Sequence, residues 1–385
     1  MDVAGGSSKP RRGRSGHTLP TVRTVAKHAG VSSTTVSRVL QGDEHVAPAI
    51  RESVQAAIEE LGYRRNEAAR SLRLGKVAGL IGVVLPDLAY PFYSQVVLGV
   101  ETVASERNLE VVVGITNHDP ERERQIVADL TARRVAGVVV MPLRADHSHL
   151  DPSVVRAPVI LVDNPPNGIQ VDCVLFRDFE AAREVTNRLL QAGARIPAFI
   201  GPTLSMWTTT ERLRGFSAAM EEHGVSLDSR YIKTQVGSVA DAEKIVRELL
   251  ALPRPPDAIF CANYRNTLGA IRAGGRGAAG RPLGGFDDFE LAGLLGIPLI
   301  LVAYDPLAIG RQAMSLLADR IDNQHGKDPP APRRVYAPTR IVEYGWDRAD
   351  DAEDPSAAGD KVGVDGAVQH RSQFVGISRR ATPRA

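Results

Sequence analysis

Between Val22 and Gly62 the apolar residues recur at three- and four-residue spacing in three short runs, and a glycine follows each run. That spacing turns one face of a helix inward, and glycine suits the left-handed residue that ends it. The first run is Val22 to Ala29, with Val22, Val25, Ala26 and Ala29 on one face and Gly30 as the turn. Ser32 stands as the cap of a second helix, Ser33 to Leu40, with Val36, Val39 and Leu40 inward and Gly42 at its end. A third helix runs from about Pro48 to Leu61 with the stripe Ile50, Val54, Ala57, Ile58 and Leu61. Pro48 suits its first position and Gly62 its C-terminal cap. Helix, glycine turn, helix and supporting helix is the helix-turn-helix plan, whose second helix enters the major groove of DNA. Asn66 then caps one more stretch, Glu67 to Leu74, closed by Gly75. Eight residues are marginal as a helix alone, so its folding can depend on DNA and on a partner chain.

The charge distribution points the same way. Residues 1–76 carry 13 Lys/Arg against 7 Asp/Glu, about +6, while the whole 385-residue chain is only +2. A basic end on a slightly acidic body suggests a polyanion partner for that end alone. The first 20 residues are rich in Gly, Ser, Pro and Arg and read as a disordered basic tail without the apolar segment of a secretory signal. Two cysteines without metal spacing argue against a disulfide framework or a zinc site, and no apolar run is long enough to span a bilayer. A cytoplasmic, nucleoid-associated protein is expected.

From Gly79 the texture changes. Short β-branched runs at 80–86, 110–116, 137–142, 158–163, 198–201 and 258–262 alternate with helical stretches at 93–107, 120–134, 179–192, 208–223 and 239–252. A strand at 299–303, a helix at 307–323 and a final strand at 333–343 follow. Alternation of this kind builds doubly wound parallel sheets, and the span is long enough for two lobes. Ligands in such sheets bind at the carboxyl ends of the strands. The expected fold is therefore an all-α helix-turn-helix head on an α/β sensor of two doubly wound parallel-sheet lobes. The head occupies 21–63, a hinge 64–76 and the sensor 77–345. The N-lobe takes about 77–177 and 305–332, and the C-lobe about 178–304 and 333–345. Residues 346–385 read as a disordered tail.

The order and spacing of these pieces resemble the LacI/GalR family of transcriptional regulators. The resemblance rests on TVRTVAKHAGVSSTTVSRVLQG and EELGYRRNEAARSLR in the head, and on PDLAYPFY, ILVDN, ERLRGF, ANYRNTLGA, GFDD and YDPLAIG behind it. It implies a periplasmic-binding-protein-like sensor and a homodimer on a near-palindromic double-stranded DNA operator. Base reading would fall to Ser33, Thr34 and Arg38. Arg38 can pair bidentately with guanine, and the two short hydroxyl side chains can reach bases or a thymine methyl. Thr24, Ser37 and Asn66 suit phosphates, which position without specifying. In the hinge, Leu72 with Ala69 beside it would wedge a base step in the minor groove. Family effectors are mostly sugars and sometimes nucleobases. The matching cleft positions are Phe92, Tyr93, Arg212, Asn263, Tyr264 and Asp287.

The sequence departs from the family where a ligand would sit. Tyr264 replaces the usual carboxylate after Asn263, Thr210 replaces an arginine, Arg177-Asp178 replaces Asp-Asn, and Asn164 replaces the arginine of the LVDR motif. Tyr264, Trp207, Phe92 and Phe286 suggest a ligand with an aromatic or apolar part. Residues 271–285, IRAGGRGAAGRPLGG, are short and glycine-laden; the helix after Tyr264 is expected to stop after about one and a half turns or to fray, and Pro282 to Gly285 make a poor strand. Ala47 replaces a capping Ser or Thr. A ligand-controlled repressor is the expected function. A constitutive DNA binder with a degenerate pocket is the rival, and a solute-binding protein without DNA function comes last. Neither a dinucleotide fingerprint, a Walker loop, a nucleophile elbow nor a metal cluster occurs, so no enzyme, metal or cofactor is expected.

Overall fold

A computed structural model of the chain describes residues 20–63, 79–274, 281–323 and 330–346. The head is three helices, α1 (Val22–His28), α2 (Ser33–Leu40) and α3 (Pro48–Leu61). Thr21 and Thr24 close a reciprocal capping box on α1, and Ser32 Oγ accepts from the Thr35 N–H at 3.0 Å to cap α2. Gly30, Gly42 and Gly62 all take positive φ, as the turns require. Val25, Val36 and Val54 are fully buried and join Ala26, Val39, Val46 and Ala57 in a core of the head's own. Ile50, assigned inward by periodicity, is instead 37% exposed. Ala47 makes no side-chain cap on α3, so that helix starts on Pro48 alone.

The rest forms two six-stranded sheets. The first has the order β2-β1-β3-β4-β5-β11 and is parallel throughout. Its strands are β1 (Leu80–Leu85), β2 (Glu110–Ile115), β3 (Gly137–Val140), β4 (Val159–Val162), β5 (Asp172–Leu175) and β11 (Arg334–Tyr336). The second has the order β7-β6-β8-β9-β10-β12, with only β12 antiparallel. It contains β6 (Pro197–Ile200), β7 (Ile232–Lys233), β8 (Ala258–Cys261), β9 (Leu283–Phe286), β10 (Leu299–Ala303) and β12 (Arg340–Tyr344). Each sheet reverses its winding beside its first strand, the place where doubly wound sheets open a crevice. Helix Pro306–Asp322 returns from the second sheet to pack Ile309, Met314 and Leu317 into the core of the first. It crosses helix Pro91–Glu106 where Gly99 meets Gly310. A Cβ on Gly310 would lie 2.1 Å from the Val96 carbonyl oxygen, so the two backbones touch.

Three expectations need correction. The single strand at 333–343 is two strands, and β11 joins the first sheet, so the segment around 334–336 belongs to the N-lobe and not to the C-lobe. Pro338 lies between them and has no N–H for a ladder. The helix expected to fail early runs from Tyr264 to Gly274, 11 residues. The poor strand is β9, hydrogen-bonded between β8 and β10. Its glycines are what let it fit. A Cβ on Gly284 would meet Val185 Cγ1 at 2.7 Å, and one on Gly285 would meet the Cys261 carbonyl oxygen at 2.2 Å. Residues 275–280, the hinge with Asn66, Ala69 and Leu72, and both expected disordered tails apart from residues 20 and 346 lie outside the described residues. Among those described, no helix is long and apolar enough to cross a membrane.

Two substitutions check this packing. Gly285→Ala should cost about 1–3 kcal/mol, the usual penalty of overpacking, read as a lowered urea midpoint of the full chain. Ala47→Ser should stabilise the head by about 1 kcal/mol, read as slower amide exchange across 48–61.

Candidate functional site

On α2 the buried side is Val36 and Val39, and Ser33, Thr34 and Arg38 lie on the exposed side. Arg38 is held in place: its Nε donates to Asp43 Oδ2 at 2.7 Å, and Asp43 Oδ1 accepts from the His45 N–H at 3.0 Å. The Arg38 hydrogen bond, then that of His45, hold the Asp43 carboxyl well below the usual carboxylate range. Using Nε leaves the terminal fork of Arg38 for a bidentate acceptor. Two residues matched to phosphates have local duties. The Thr24 hydroxyl belongs to the capping box, and Ser37 Oγ donates to the Ser33 carbonyl at 2.9 Å.

The second candidate site is a cavity of about 420 Å³ between the two sheets. Its lining comes from the carboxyl ends of strands in both: Tyr90, Phe92 and Tyr93 after β1, Asp163 after β4, Phe176 after β5, Asn263 after β8, Asp287 after β9 and Tyr304 after β10. Four non-glycine lining residues have left-handed backbones, His118 (φ 60°), Asp163 (64°), Gln235 (67°) and Asp287 (71°). Strain of this kind gathers where side chains must be aimed.

Of the residues matched to the effector, Phe92, Tyr93, Arg212, Asn263 and Asp287 meet in this cavity. Tyr264 does not line it. Its ring lies in a second cavity of about 470 Å³ with Leu268, Ile271 and Leu291, 5.6 Å from the Phe289 ring. Its backbone N–H reaches toward the first site, donating to Asp287 Oδ2 at 2.8 Å, and its ring meets that of Tyr90 edge-on with centres 6.1 Å apart. Of the other aromatic faces expected there, Trp207 lines a separate pocket and Phe286 is wholly buried under Arg212.

Arg212 is nearly inaccessible. Its Nε donates to Asp178 Oδ1 at 2.7 Å, its Nη1 to the Ala262 carbonyl at 2.6 Å, and its guanidinium lies 3.7 Å from the Phe286 ring centre. Burial works against its charge, but Asp178, Asp287 and Asp163 together raise its pKa. Burial likewise pushes Asp178 up, with Arg212 opposing.

Asp287 is the other fixed point. Oδ2 accepts from the Tyr90 hydroxyl and Oδ1 from the Tyr304 hydroxyl. Both phenols are driven well above their ordinary range, first by burial and then by the Asp287 charge. Tyr90 follows a strand of the first sheet and Asp287 a strand of the second, so this bond ties the lobes across the cleft. Arg265 and Asp87 form a second tie, with the Arg265 guanidinium 5.6 Å from the Tyr90 ring centre.

Tyr90, Asp163, Phe176 and Tyr304 were not among the expected site residues. Three of them stand inside the motifs PDLAYPFY, ILVDN and YDPLAIG, so position in the motif was the available signal. Among the described residues no His/Cys/Asp/Glu group is arranged to hold a metal ion.

Comparison with known proteins places this arrangement. The profile described as periplasmic binding proteins and sugar binding domain of LacI family matches residues 78–340. The profile of bacterial regulatory proteins, lacI family, matches residues 21–66. The HTH-type transcriptional repressor CytR of Escherichia coli (strain K12) is 28% identical over 314 residues, 80% of this chain and 92% of its own. The structure of a transcriptional regulator CelR–cellobiose complex has a TM-score of 0.62 at 29% identity, covering 85% of this chain and 99% of that one. The Lac repressor dimer bound to operator and the anti-inducer ONPF has a TM-score of 0.70 at 25% identity, covering 84% and 98%. With one profile on the head and the other on both lobes, the chain belongs to the LacI family of bacterial regulatory proteins, a helix-turn-helix head joined to a periplasmic-binding-protein-like sensor.

Proposed function

We propose that this chain is a sequence-specific transcriptional repressor of the cytoplasm. It acts as a homodimer on a near-palindromic operator and is controlled by a small molecule, a sugar or related metabolite, in the cleft between its lobes. The observation that carries this reading is the pairing, in one chain, of two sites. One is a helix with Ser33, Thr34 and Arg38 exposed together; the other is a cavity of about 420 Å³ lined from both sheets. Head (21–63), hinge (64–76) and sensor (77–345) then divide the labour. Ser33, Thr34 and Arg38 read bases, Thr24, Ser37 and Asn66 meet phosphates, and Leu72 with Ala69 wedges the minor groove. Phe92, Tyr93, Arg212, Asn263 and Asp287 hold the effector. The relatives support the partners: one structure is a repressor dimer on its operator and another holds cellobiose.

A ligand shifts the lobes only by binding one arrangement better than the other, and operator and effector affinities are then linked reciprocally. A second reading, a regulator that binds DNA constitutively, draws on the ties Tyr90–Asp287 and Arg265–Asp87, which close the cleft with the chain's own side chains.

Selection of bound DNA from a random pool, with and without a metabolite panel, tests both. Enrichment of a palindrome that a metabolite alters is the expected result. No palindrome would sink the repressor, and a palindrome that every metabolite leaves unchanged would favour the constitutive form. On the selected operator, Arg38→Ala should lose about 1–3 kcal/mol of binding and relax the preference at one base pair per half-site. Leu72→Ala should weaken specific binding and leave the melting temperature of the free protein unchanged; a large drop in melting temperature would make Leu72 a packing residue instead.

A further inference from the structure

The cleft holds more acid than base. Asp163, Asp178 and Asp287 all act on Arg212, the one buried arginine among the described residues. Arg265, at the edge of the cavity, is paired with Asp87. Asp178 accepts from Arg212, and Asp287 accepts from two phenols and a backbone N–H. Asp163 has no such partner. Its Oδ1 is sealed from solvent without a hydrogen bond among the described residues, although the side chain lines the cavity. Burial, then Asp178, pushes its carboxyl well above the ordinary range, and the Arg212 charge, shared with Asp178 and Asp287, opposes this only in part.

Asp163 also stands beside an aromatic wall. After burial itself, its charge is the largest influence raising the Tyr93 phenol. Phe92, Tyr93, Phe176 and Tyr304 line the same cavity, with the Phe176 and Tyr304 ring centres 4.5 Å apart and those of Phe92 and Tyr93 5.3 Å apart. A half-buried carboxyl that lines the cavity with one oxygen lacking a hydrogen bond, next to several π-systems, is a group that an organic ammonium would complete.

We propose that the effector of this cleft carries a protonated amine, seated against Asp163 and flanked by the rings of Tyr93, Phe176 and Tyr304. This rests on the sensor role proposed for the cleft and narrows it. A neutral polyol brings no charge to Asp163, and a simple carboxylate or phosphate brings the wrong one. The left-handed backbone of Asp163 is one that asparagine also adopts readily, so Asp163→Asn removes the charge at nearly constant shape.

The test is calorimetry on the full chain with two sets of probes differing at one group. One set is glucosamine, glucose and glucuronate; the other is phenethylamine, phenethyl alcohol and phenylacetate. In at least one set the amine should bind tighter than its alcohol by about tenfold or more, with the carboxylate weakest. Asp163→Asn should erase that preference, and Phe176→Leu should weaken amine binding without erasing it. An alcohol or carboxylate binding as tightly as the amine in both sets, or no probe binding at all, overturns the proposal. So does a preference that survives Asp163→Asn. Tight binding of glucose alone would overturn the ammonium assignment and leave the sensor reading intact, whereas a failure to select any operator would strike that reading and leave these affinities unaffected.

Discussion

The buried guanidinium of Arg212 is the constraint around which the cleft is built. Taking an ion pair out of water costs several kcal/mol per ion, and the attraction inside repays this only when the remaining hydrogen bonds are made. Here the groups that meet the guanidinium are spread over separate elements: the Asp178 carboxylate that accepts from it opens one helix, the accepting Ala262 carbonyl follows β8, and the Phe286 ring closes β9 beneath the cation. The second lobe therefore reaches its full stability only when these strand ends sit in register. A shift of β9 by one residue would exchange Phe286 for Gly285 under the guanidinium and break that order. The glycines of β9 belong to the same requirement, because they let the strand lie close to β8 and to the helix carrying Val185 and Leu189.

From that anchor the electrostatics of the cleft follow. One cation cannot satisfy three carboxylates, so the others must find neutral donors. Asp287 does so through Tyr90 and Tyr304, and the cost of burying two phenols is offset by charge-assisted hydrogen bonds. Because Tyr90 comes from the opposite lobe, a local need for donors becomes a mechanical tie between lobes. The same carboxylate cannot serve a ligand's hydroxyls fully while both phenols hold it. Under the proposed sensor role, a ligand at Asp287 would compete with closure, and that would give it leverage over lobe geometry without any long-range pathway.

What could be read from the sequence divides along physical lines. Runs such as Val138 to Val140 and Val159 to Val162 declare buried parallel strands, because a β-branched run satisfies both faces of a covered sheet. β9 could not be read that way. Hydrophobic pattern reports side chains, and Leu-Gly-Gly-Phe has few; what makes it a strand is the ladder offered by β8 and β10. The break between β11 and β12 was available in Pro338, but the flanking apolar residues masked it. In the site, motif position located Arg212, Asn263 and Asp287 in one cavity and failed for Tyr264. There the chain enters a helix and carries the ring away while the backbone N–H stays. Motifs fix where a backbone passes; the rotation of one side chain depends on neighbours far away in sequence.

The head and the cleft obey different rules, and that difference limits how control can work. Among the described residues, Val25, Val36 and Val54 pack within the head, and Arg38 is braced by Asp43 from the same head. The surface proposed to read bases is therefore built from the head's own contacts. Under the proposed function, a ligand in the cleft would leave unchanged which bases Ser33, Thr34 and Arg38 prefer. In a dimeric repressor it can alter only whether two such surfaces are presented together at the spacing of an operator. Coupling of that kind changes affinity for the paired site while leaving the preference within each half-site untouched.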